Sequence, residues 1–397
     1  MRILLCLLSQ QHVPNLLAVH HFQPDQLVLI ESAGMRRENR AAQFLAALGA
    51  GGREFTEGVN AHVELLEHED SLADVQAAVK AAYKRFPSDE WVVNVTGGTK
   101  PMSIGTFEFF RNLGESLVYV NLAKPNHFLW LDSDRAEICV YRPSIKEWLL
   151  GYGFQFQKTE NALANAENRA RGLWNCARTI AAHAEPVDLV VWDDEERKDA
   201  RTKTTDGLTS SHCAGGLRHH ELRQAVAAAF DLREADGGLT GRIDKYAGRF
   251  LSGEWLEVFF WGLLDQHQAA LAIWDVHLGI EVMSGGEVPN ELDVTFMHNH
   301  NLNAIECKSG SQENDANTDV LYKVEAVMQQ FKAVRVRKLL ATTSADVFVA
   351  GTEQRKPALD RRAKIYQCEL ITYPQIRTLA AAADSPDEIR RIMGLHQ

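Results

Sequence analysis

Apolar strands and helical stretches alternate through residues 1–148, and this alternation constrains the fold more than any other feature of the chain. The predicted strands are residues 2–8, 27–30, 91–95 and 117–121, and the predicted helices between them are residues 37–48, 72–86 and 101–112. Helices between successive strands are typical of a doubly wound, mostly parallel sheet. Two more strands, near residues 127–131 and 137–141, have no helix between them and predict a closing antiparallel hairpin. We therefore expect an α/β chain that begins with a Rossmann-like domain.

Two polar loops follow strands of this sheet, at the edge where α/β proteins bind their ligands. The first contains Ser9, Gln10 and His12, and the second consists of Thr96, Gly97, Gly98, Thr99, Lys100, Pro101 and Met102. Two glycines let a ligand approach the backbone, and the helix start that follows offers free N–H groups to an anion. The second loop therefore predicts a phosphate or nucleotide cradle, although a simple connecting turn stays the alternative. It matches neither a Walker A loop nor GxGxxG.

A second informative feature lies in the last third of the chain, where two short apolar runs flank the polar residues 298–301. This pattern predicts a β-hairpin. Because side chains alternate along a strand, Glu306 and Lys308 point to one face and Cys307 points to the other. A tight hairpin can bring Asp293 beside Glu306. Two carboxylates and an ammonium suit metal-assisted hydrolysis of a phosphodiester, since the cation offsets phosphate charge and acidifies water.

The spacing of these residues resembles the PD-(D/E)xK nuclease motif, here Asp293 followed by Glu306 and Lys308. Because such a pattern also occurs by chance, a surface hairpin with an ordinary Glu–Lys pair stays the alternative. In that superfamily an acidic residue on a preceding helix often completes the site. Glu254 and Glu257, three residues apart on one predicted helical face, are the candidates, and we prefer Glu257.

The composition limits the classes of protein that the chain can represent. Its 397 residues suffice for two domains, and a hydrophobic content of 45% is typical of a globular protein. No apolar run approaches the roughly 18 residues of a membrane span. Six cysteines without a CxxC pair indicate neither a disulfide framework nor a zinc site, so we expect a cytoplasmic protein. The net charge of −11 argues against broad duplex binding through one basic face.

These patterns divide the chain into residues 1–148, a helical connector with an exposed loop at residues 149–250, and residues 251–397. The third part is predicted to contain a helix at residues 254–270, a strand at 274–279, the hairpin, a helix at 319–331, strands at 338–342 and 346–350, and helices at 357–364 and at the C-terminus. The α-β-β-β-α-β order matches a restriction-endonuclease-like core. The mixed-charge run at residues 192–199 is interpreted as solvated surface.

The loops and the hairpin together resemble the CARF-domain nucleases that accompany type III CRISPR systems. The resemblance is carried by the Ser9-x-x-His12 loop, the loop at residues 96–102, and the blocks Gly253-Glu254-Trp255-Leu256-Glu257, Asn290-Glu291-Leu292-Asp293 and Glu306-Cys307-Lys308. In that family a CRISPR-associated Rossmann-fold (CARF) domain senses a cyclic oligoadenylate, and a PD-(D/E)xK domain cuts nucleic acid. The expected fold is therefore a CARF doubly wound sheet followed by a restriction-endonuclease-like domain.

The resemblance implies a role for residues at both ends of the chain. The implied ligand-binding residues are Ser9, Gln10, His12, Thr96, Gly97, Gly98, Thr99, Lys100 and Met102. The implied catalytic residues are Asp293, Glu306, Lys308, Glu257 and Glu291, and Mg²⁺ or Mn²⁺ would be bound by Asp293, Glu306 and the carbonyl of Cys307. The resemblance also implies a homodimer that binds one symmetric ring, cyclic tetra-adenylate, as its activator and that cleaves a nucleic-acid substrate.

Two other functions stay open from the sequence. A ligand-sensing transcription regulator would share the N-terminal domain, but it leaves Asp293, Glu306 and Lys308 unexplained. A constitutive restriction or repair nuclease would use these three residues, and its N-terminal domain would only support oligomerisation.

Overall fold

The computed structural model of the chain describes residues 1–87, 89–121, 126–133, 135–284, 289–310, 336–352 and 354–395. They form two compact units, Met1–Phe156 with Val282–Pro289, and Gln157–Glu281 with Asn290–Gln397. Residues 157–250, expected as a connector, belong to the second unit because their apolar side chains share one hydrophobic cluster with those of the C-terminal part. The helix predicted at residues 319–331 lies outside the described residues. No helix in the described ranges is long and apolar enough to cross a membrane.

The first unit is built on one mixed sheet. Its strands are β1 (Arg2–Leu7), β2 (Gln26–Ser32), β3 (Ala61–Leu66), β4 (Glu90–Asn94), β5 (Ser116–Val120), β6 (His127–Trp130) and β7 (Ala136–Ile138), in the spatial order β3-β2-β1-β4-β5-β6-β7. Strands β1 to β5 pair in parallel, whereas β6 and β7 pair antiparallel at one edge. The predicted doubly wound sheet with a closing hairpin is therefore confirmed.

Helices cover this sheet and define its core. They are α1 (Val13–Phe22), α2 (Ala33–Arg37), α3 (Arg40–Ala50), α4 (Leu72–Tyr83), α5 (Lys100–Leu113) and α6 (Ile145–Gly151). One face of β1 packs against α4 and α5 in a cluster that includes Leu5, Val75 and Phe110. The helix predicted at residues 37–48 is divided, because Asn39 adopts a left-handed backbone (φ 59°) between α2 and α3.

The second unit contains a long helix, a small sheet and most of a larger sheet, of which residues 154–156 and 282–284 belong to the first unit. Its helices are α7 (Glu160–Ala182), α8 (Asp194–Thr202), α9 (His220–Phe230), α10 (Lys245–Arg249), α11 (Trp255–Leu271), α12 (Pro357–Ile365), α13 (Tyr373–Ala381) and α14 (Pro386–Ile392). The small sheet has the order β10-β11-β9, formed by β9 (Thr205–Leu208), β10 (Arg233–Ala235) and β11 (Gly238–Ile243). Part of the stretch predicted as an exposed loop is therefore a strand, β9.

The larger sheet has the order β16-β15-β14-β13-β12-β8. Its strands are β8 (Phe154–Phe156), β12 (Ile273–Ser284), β13 (Asn290–His298), β14 (Asn301–Lys308), β15 (Arg337–Thr342) and β16 (Cys368–Thr372). The pair β13–β14 is antiparallel, and β14–β15 and β15–β16 are parallel. The strand predicted at residues 346–350 is wrong: Ala345–Val347 forms a 3₁₀ turn, because the Ser344 hydroxyl accepts from the Asp346 amide and starts a turn there.

Candidate active site and ligand crevice

The β13–β14 hairpin brings the predicted catalytic carboxylates to one place. Its turn residues Asn299 and His300 both have positive φ, 49° and 58°, the backbone that a tight two-residue hairpin turn requires. The register pairs Val294 with Ile305, so the next position along the ladder sets Asp293 against Glu306. The geometry of the turn therefore places Asp293 opposite Glu306, although the two residues are thirteen positions apart in the chain.

Asp293, Glu306 and Lys308 form a nearly enclosed cluster. The Lys308 ammonium lies 2.5 Å from Glu306 Oε1 and 3.7 Å from Asp293 Oδ2. The backbone N–H of Cys307 donates to Asp293 Oδ2 at 2.7 Å. The carboxylate side chains are only 12% and 11% exposed, and that of Lys308 is 30% exposed. Two carboxylates therefore share one ammonium at a largely buried site.

The electrostatics of this cluster show an excess of negative charge. Burial, and then repulsion by Glu306, raise the pKa of Asp293 to about 7. Burial opposes the charge of Lys308, but attraction by Asp293 and Glu306 outweighs it and raises the pKa of that ammonium. Since one lysine does not neutralise both carboxylates, a further cation at this position would stabilise them.

Glu257, on helix α11, interacts electrostatically with this cluster. Burial, and then the charge of Asp293, raise the pKa of Glu257 well above its ordinary value. Burial also raises the pKa of Glu254, and the charges of Arg249, Arg201 and Lys158 oppose that shift. The leading charge at Glu257 is therefore that of Asp293, whereas the leading charges at Glu254 are those of two arginines.

A break in the helix precedes both acidic residues. A π-turn, Phe250–Glu254, comes before α11, and Gly253 within it has φ 140°, which few other residues adopt. A Cβ at Gly253 would lie 2.7 Å from the Ser309 hydroxyl, just after β14. The start of α11 therefore lies close to the end of β14, the strand that carries Glu306 and Lys308.

The remaining predicted residues lie at the margin of the cluster. Glu291 is 57% exposed, and its Oε1 lies 2.9 Å from the ammonium of Lys158. Cys307 points into the apolar core, 6% exposed, and burial raises the pKa of its thiol well above the ordinary value. Its sulfur is therefore not placed to bind a metal at the cluster.

A divalent cation fits the donor set in part. Among the described residues no group of three or more His, Cys, Asp and Glu side chains is arranged to hold a metal ion. Asp293 and Glu306 nevertheless supply two hard oxygen donors whose mutual repulsion a cation would relieve. The chemistry of this pair suits Mg²⁺ or Mn²⁺ better than a soft metal.

In the first unit, the two predicted ligand loops lie side by side. They follow β1 and β4, the neighbouring strands at which the strand order β3-β2-β1-β4-β5 reverses direction. Such a switch point forms a crevice at the carboxyl edge of an open α/β sheet. A Cβ at Gly97 would lie 2.0 Å from the Leu7 carbonyl, so only glycine permits this close approach of the two loops.

Two buried asparagines that the sequence analysis did not single out hold these loops together. Asn15 Nδ2 donates to the Leu7 carbonyl at 2.9 Å, and Asn94 Nδ2 donates to Asn15 Oδ1 at 2.9 Å. Asn94 Oδ1 in turn accepts from the amide and the hydroxyl of Thr96. The sequence contains one indication of this arrangement, the asparagine at the end of the apolar strand β4. A buried side-chain amide requires polar partners, which here are the loop residues.

The predicted ligand-binding residues divide into exposed and buried ones. Lys100, the first residue of α5, and Gln10 are exposed, and Ser9, Gly98 and Thr99 are partly so. Thr99 caps α5 by accepting from the Met102 amide. His12 and Met102, however, are 4% and 1% exposed and lie beneath the loops, because both side chains pack into the interior of the unit. Burial lowers the pKa of His12 to about 3, so it stays neutral.

Fold and site together define an endonuclease-type domain joined to a Rossmann-like sensor-type domain. A model of the Card1 CARF domain matches residues 3–148, and a model of the Card1-like endonuclease domain matches residues 244–359. The chain therefore belongs to the Card1-like CARF nucleases of type III CRISPR systems. The expected class of function, a nuclease activated by a cyclic oligoadenylate, is confirmed. No curated protein sequence matches the chain significantly.

Two solved structures share the fold along the whole chain. One is Can2 from Sulfobacillus thermosulfidooxidans in complex with cyclic tetra-adenylate, with 19% identity, a TM-score of 0.66 and coverage of 100% of both chains. The other is the protein VC1899 from Vibrio cholerae, with 17% identity, a TM-score of 0.75 and coverage of 98% of both chains. At such identities the likeness shows the fold.

Proposed function

We propose that this nuclease depends on a divalent metal ion, that it acts as a homodimer, and that cyclic tetra-adenylate is its activator. The observation that carries the proposal is the enclosed cluster of Asp293, Glu306 and Lys308. Buried carboxylates that repel one another are a costly arrangement for a structural site. They are an ordinary arrangement for a site that binds a cation and a phosphate.

The proposed reaction is hydrolysis of a phosphodiester. Water attacks phosphorus, the bond from phosphorus to one ester oxygen breaks, and a proton reaches that oxygen as it leaves. Mg²⁺ or Mn²⁺, bound by Asp293, Glu306 and the Cys307 carbonyl, would supply positive charge that offsets the charge developing on the phosphate. Lys308 orients the attacking water or a phosphoryl oxygen, since its ammonium already lies within 4 Å of both carboxylates.

Glu257 and Glu291 have different proposed parts in this reaction. Glu257 lies near enough to Asp293 for the two charges to interact, so it can hold the water network around the cation. Glu291 is exposed and paired with Lys158, so it acts at the rim, where it limits how substrate enters.

The activator is assigned to the crevice between the loops after β1 and β4. The N-terminus of α5 and the Lys100 ammonium supply positive potential for the phosphates of a cyclic oligoadenylate. Ser9, Gln10, Thr99 and the backbones of Gly97 and Gly98 supply polar contacts, while His12, Met102 and Thr96 support the loops from below. Can2, which shares the fold, was solved with cyclic tetra-adenylate. A ring with two-fold symmetry is matched by two copies of one crevice, which is the basis for the homodimer.

The test is cleavage of plasmid DNA and of single-stranded RNA in Mn²⁺, with and without cyclic tetra-adenylate. Glu306→Gln, Asp293→Asn and Lys308→Ala should each slow cleavage about a thousandfold, a rise in the barrier of about 4 kcal/mol, while the activator still binds. Glu369→Gln, on the outer strand β16 and half exposed, is the matched control and should cut at the wild-type rate. Full activity of Glu306→Gln, or cleavage in a metal chelator, would refute the assigned site.

A further inference from the structure

A basic cleft lies in the second unit, lined partly by residues that the sequence analysis interpreted as solvated surface. It has a volume of about 400 Å³, and its lining residues are Lys198, Arg201, Thr202, Arg249, Glu254 and Glu291. Helix α8 supplies the first three, and α10 ends at Arg249. Both helices come from the part of the chain that precedes the catalytic hairpin.

The cations of this cleft outnumber its carboxylates, since Lys198, Arg201 and Arg249 share the lining with Glu254 and Glu291. The three cations are exposed, and no described carboxylate lies within ion-pair distance of any of them. Their neighbours on α8 differ: Arg197 pairs with Asp188 at 2.9 Å, and Lys203 pairs with Asp199 at 2.8 Å. In a chain with a net charge of −11, the cleft therefore carries a local excess of positive charge.

Close packing of α8 against α10 holds two of these cations side by side. A Cβ at Gly248 would lie 1.8 Å from the Ala200 carbonyl, so the two backbones touch where Gly248 has no side chain. Arg249 Nε also donates to the carbonyl of Arg201 at 3.3 Å. The Arg249 side chain therefore lies against the end of α8 that carries Arg201, and both residues line the same cleft.

The cleft adjoins the catalytic carboxylates. Glu254, which lines it, is the residue from which α11 starts, three positions before Glu257. Glu291, on the opposite side, precedes Asp293 by two positions on β13 and shares its face of the strand. A molecule in the cleft would therefore extend from the arginines toward the cluster of Asp293 and Glu306.

We propose that this cleft binds the phosphate backbone of the nucleic-acid substrate, with Arg201, Arg249 and Lys198 contacting phosphates next to the scissile bond. This inference rests on the proposed function of the hairpin. The substrate is an anionic polymer, and an otherwise acidic protein attracts it only where positive charge is left unpaired. Arginine suits the task because its planar fork donates two hydrogen bonds to one phosphate. Glu254 and Glu291 repel the strand at the sides and so keep it on the arginine wall.

The experiment measures binding of a labelled single-stranded oligonucleotide by fluorescence anisotropy at several KCl concentrations. The full-length chain is used with saturating cyclic tetra-adenylate, in the Glu306→Gln background so that substrate is not consumed. Arg201→Ala with Arg249→Ala should weaken binding about ten- to a hundredfold. The slope of log affinity against log salt should fall by about 0.7 for each lost phosphate contact. Lys203→Ala removes one charge from the same helix outside the cleft and is the matched control.

Two further variants and one further ligand make the outcome decisive. Arg201→Lys with Arg249→Lys keeps the charge and should restore most of the salt slope, which a folding defect would not allow. In the active background the alanine pair should raise KM and leave kcat nearly unchanged. Labelled cyclic tetra-adenylate should bind the alanine pair as it binds the wild type, and loss of its binding would make the cleft an activator site and overturn the proposal.

The failure of this inference is distinguishable from failure of the proposed function. If Glu306→Gln still cleaves, the hairpin is not the catalytic site. If Glu306→Gln is inactive but the alanine pair keeps the wild-type affinity and salt slope, only the inference about the cleft is wrong.

Discussion

At the scale of single residues, the site depends on carboxylates that are similar in sequence but differ in their surroundings. Glu254 and Glu257 are three positions apart, and both are half-buried. The charges that act on Glu257 are those of Asp293, two other carboxylates and Lys308, whereas those that act on Glu254 include Arg249 and Arg201. Their roles should therefore separate experimentally.

Glu257→Gln should lower the cleavage rate about a hundredfold, because it replaces an ionisable carboxyl group beside Asp293 by a neutral amide. Glu254→Gln should keep most of the rate and bind substrate somewhat more tightly, because it removes a negative charge from the basic cleft. Steady-state cleavage of a fluorescent oligonucleotide, analysed for kcat and KM separately, gives the comparison. The reverse ranking of the two kcat values would assign the catalytic position to Glu254.

Lys100 is the residue by which sensing can be separated from chemistry. Lys100→Ala should weaken binding of the activator by about 1–3 kcal/mol, in a salt-dependent manner, because a charged contact to a phosphate is lost. The variant should then need more activator and reach the wild-type maximal rate. Calorimetry at two salt concentrations checks the affinity, with the exposed Lys80→Ala on α4 as a control. An unchanged affinity would make the loop at residues 96–102 a mere connector.

At the scale of elements, an ionic contact joins the long helix α7 to strand β12. His277 Nδ1 lies 2.8 Å from Glu167 Oε1, and its Nε2 lies 3.1 Å from Asp275 Oδ1. Burial opposes the protonated ring, but hydrogen bonds to the two carboxylates outweigh it and raise the pKa of His277 to about 9. The imidazolium therefore holds helix and strand together at neutral pH.

This contact makes stability depend on pH in a defined direction. A raised pKa in the folded state stabilises the protein fully below the unfolded value of about 6.5, and this stabilisation is lost as pH rises to about 9. It amounts to at most about 3 kcal/mol. Thermal unfolding of wild type and His277→Gln should differ most near pH 6 and converge above pH 9. A difference independent of pH would contradict the assignment, and the exposed His68→Gln is the control.

The basic cleft also depends on elements rather than on single residues. Helix α8 begins with an acidic first turn and ends with cations, so its charges favour the helix macrodipole. A mixed-charge helix of this kind is usually exposed surface. Its contact with α10 through Gly248 brings Arg201 and Arg249 to the same cleft.

At the scale of the whole molecule, each of the two units has buried hydrophobic residues of its own in the part of the chain that the structure describes. The activator is proposed to bind the first unit and the substrate the second. A ligand that binds only the folded state stabilises it by about 2.7 kcal/mol at a hundredfold excess over Kd. Binding of the activator can therefore be measured as a rise in the unfolding temperature, separately from cleavage of the substrate.

We expect cyclic tetra-adenylate to raise the unfolding temperature of Glu306→Gln as much as that of the wild type, and to raise that of Lys100→Ala less. Sedimentation velocity of the same samples should show a dimer that the activator stabilises, since one ring is proposed to contact two copies. A monomer that binds the ring with full affinity would contradict the proposed homodimer. The control is linear tetra-adenylate, which lacks the symmetry of the ring.

The sequence by itself determined the features that depend on local pattern. Alternating apolar strands and helices fixed the doubly wound sheet, because helical crossovers between strands leave few other arrangements. The polar turn between two apolar runs fixed the hairpin, and the period of the strand placed Glu306 and Lys308 on one face. Edge strand β3 escaped detection, because only its end residues Ala61 and Leu66 are buried and its apolar pattern is weak.

Tertiary structure alone decided which of these segments meet. That His12 and Met102 lie under the loops, that the charge of Asp293 acts on Glu257, and that α8 borders the β13–β14 hairpin all depend on contacts between residues far apart in the chain. Periodicity reports which face of an element is apolar, but it carries no information about the partner of that face. The partner depends on close packing between elements. Gly248, for example, lies so near the Ala200 backbone, and Gly253 so near the Ser309 hydroxyl, that a Cβ at either position would clash.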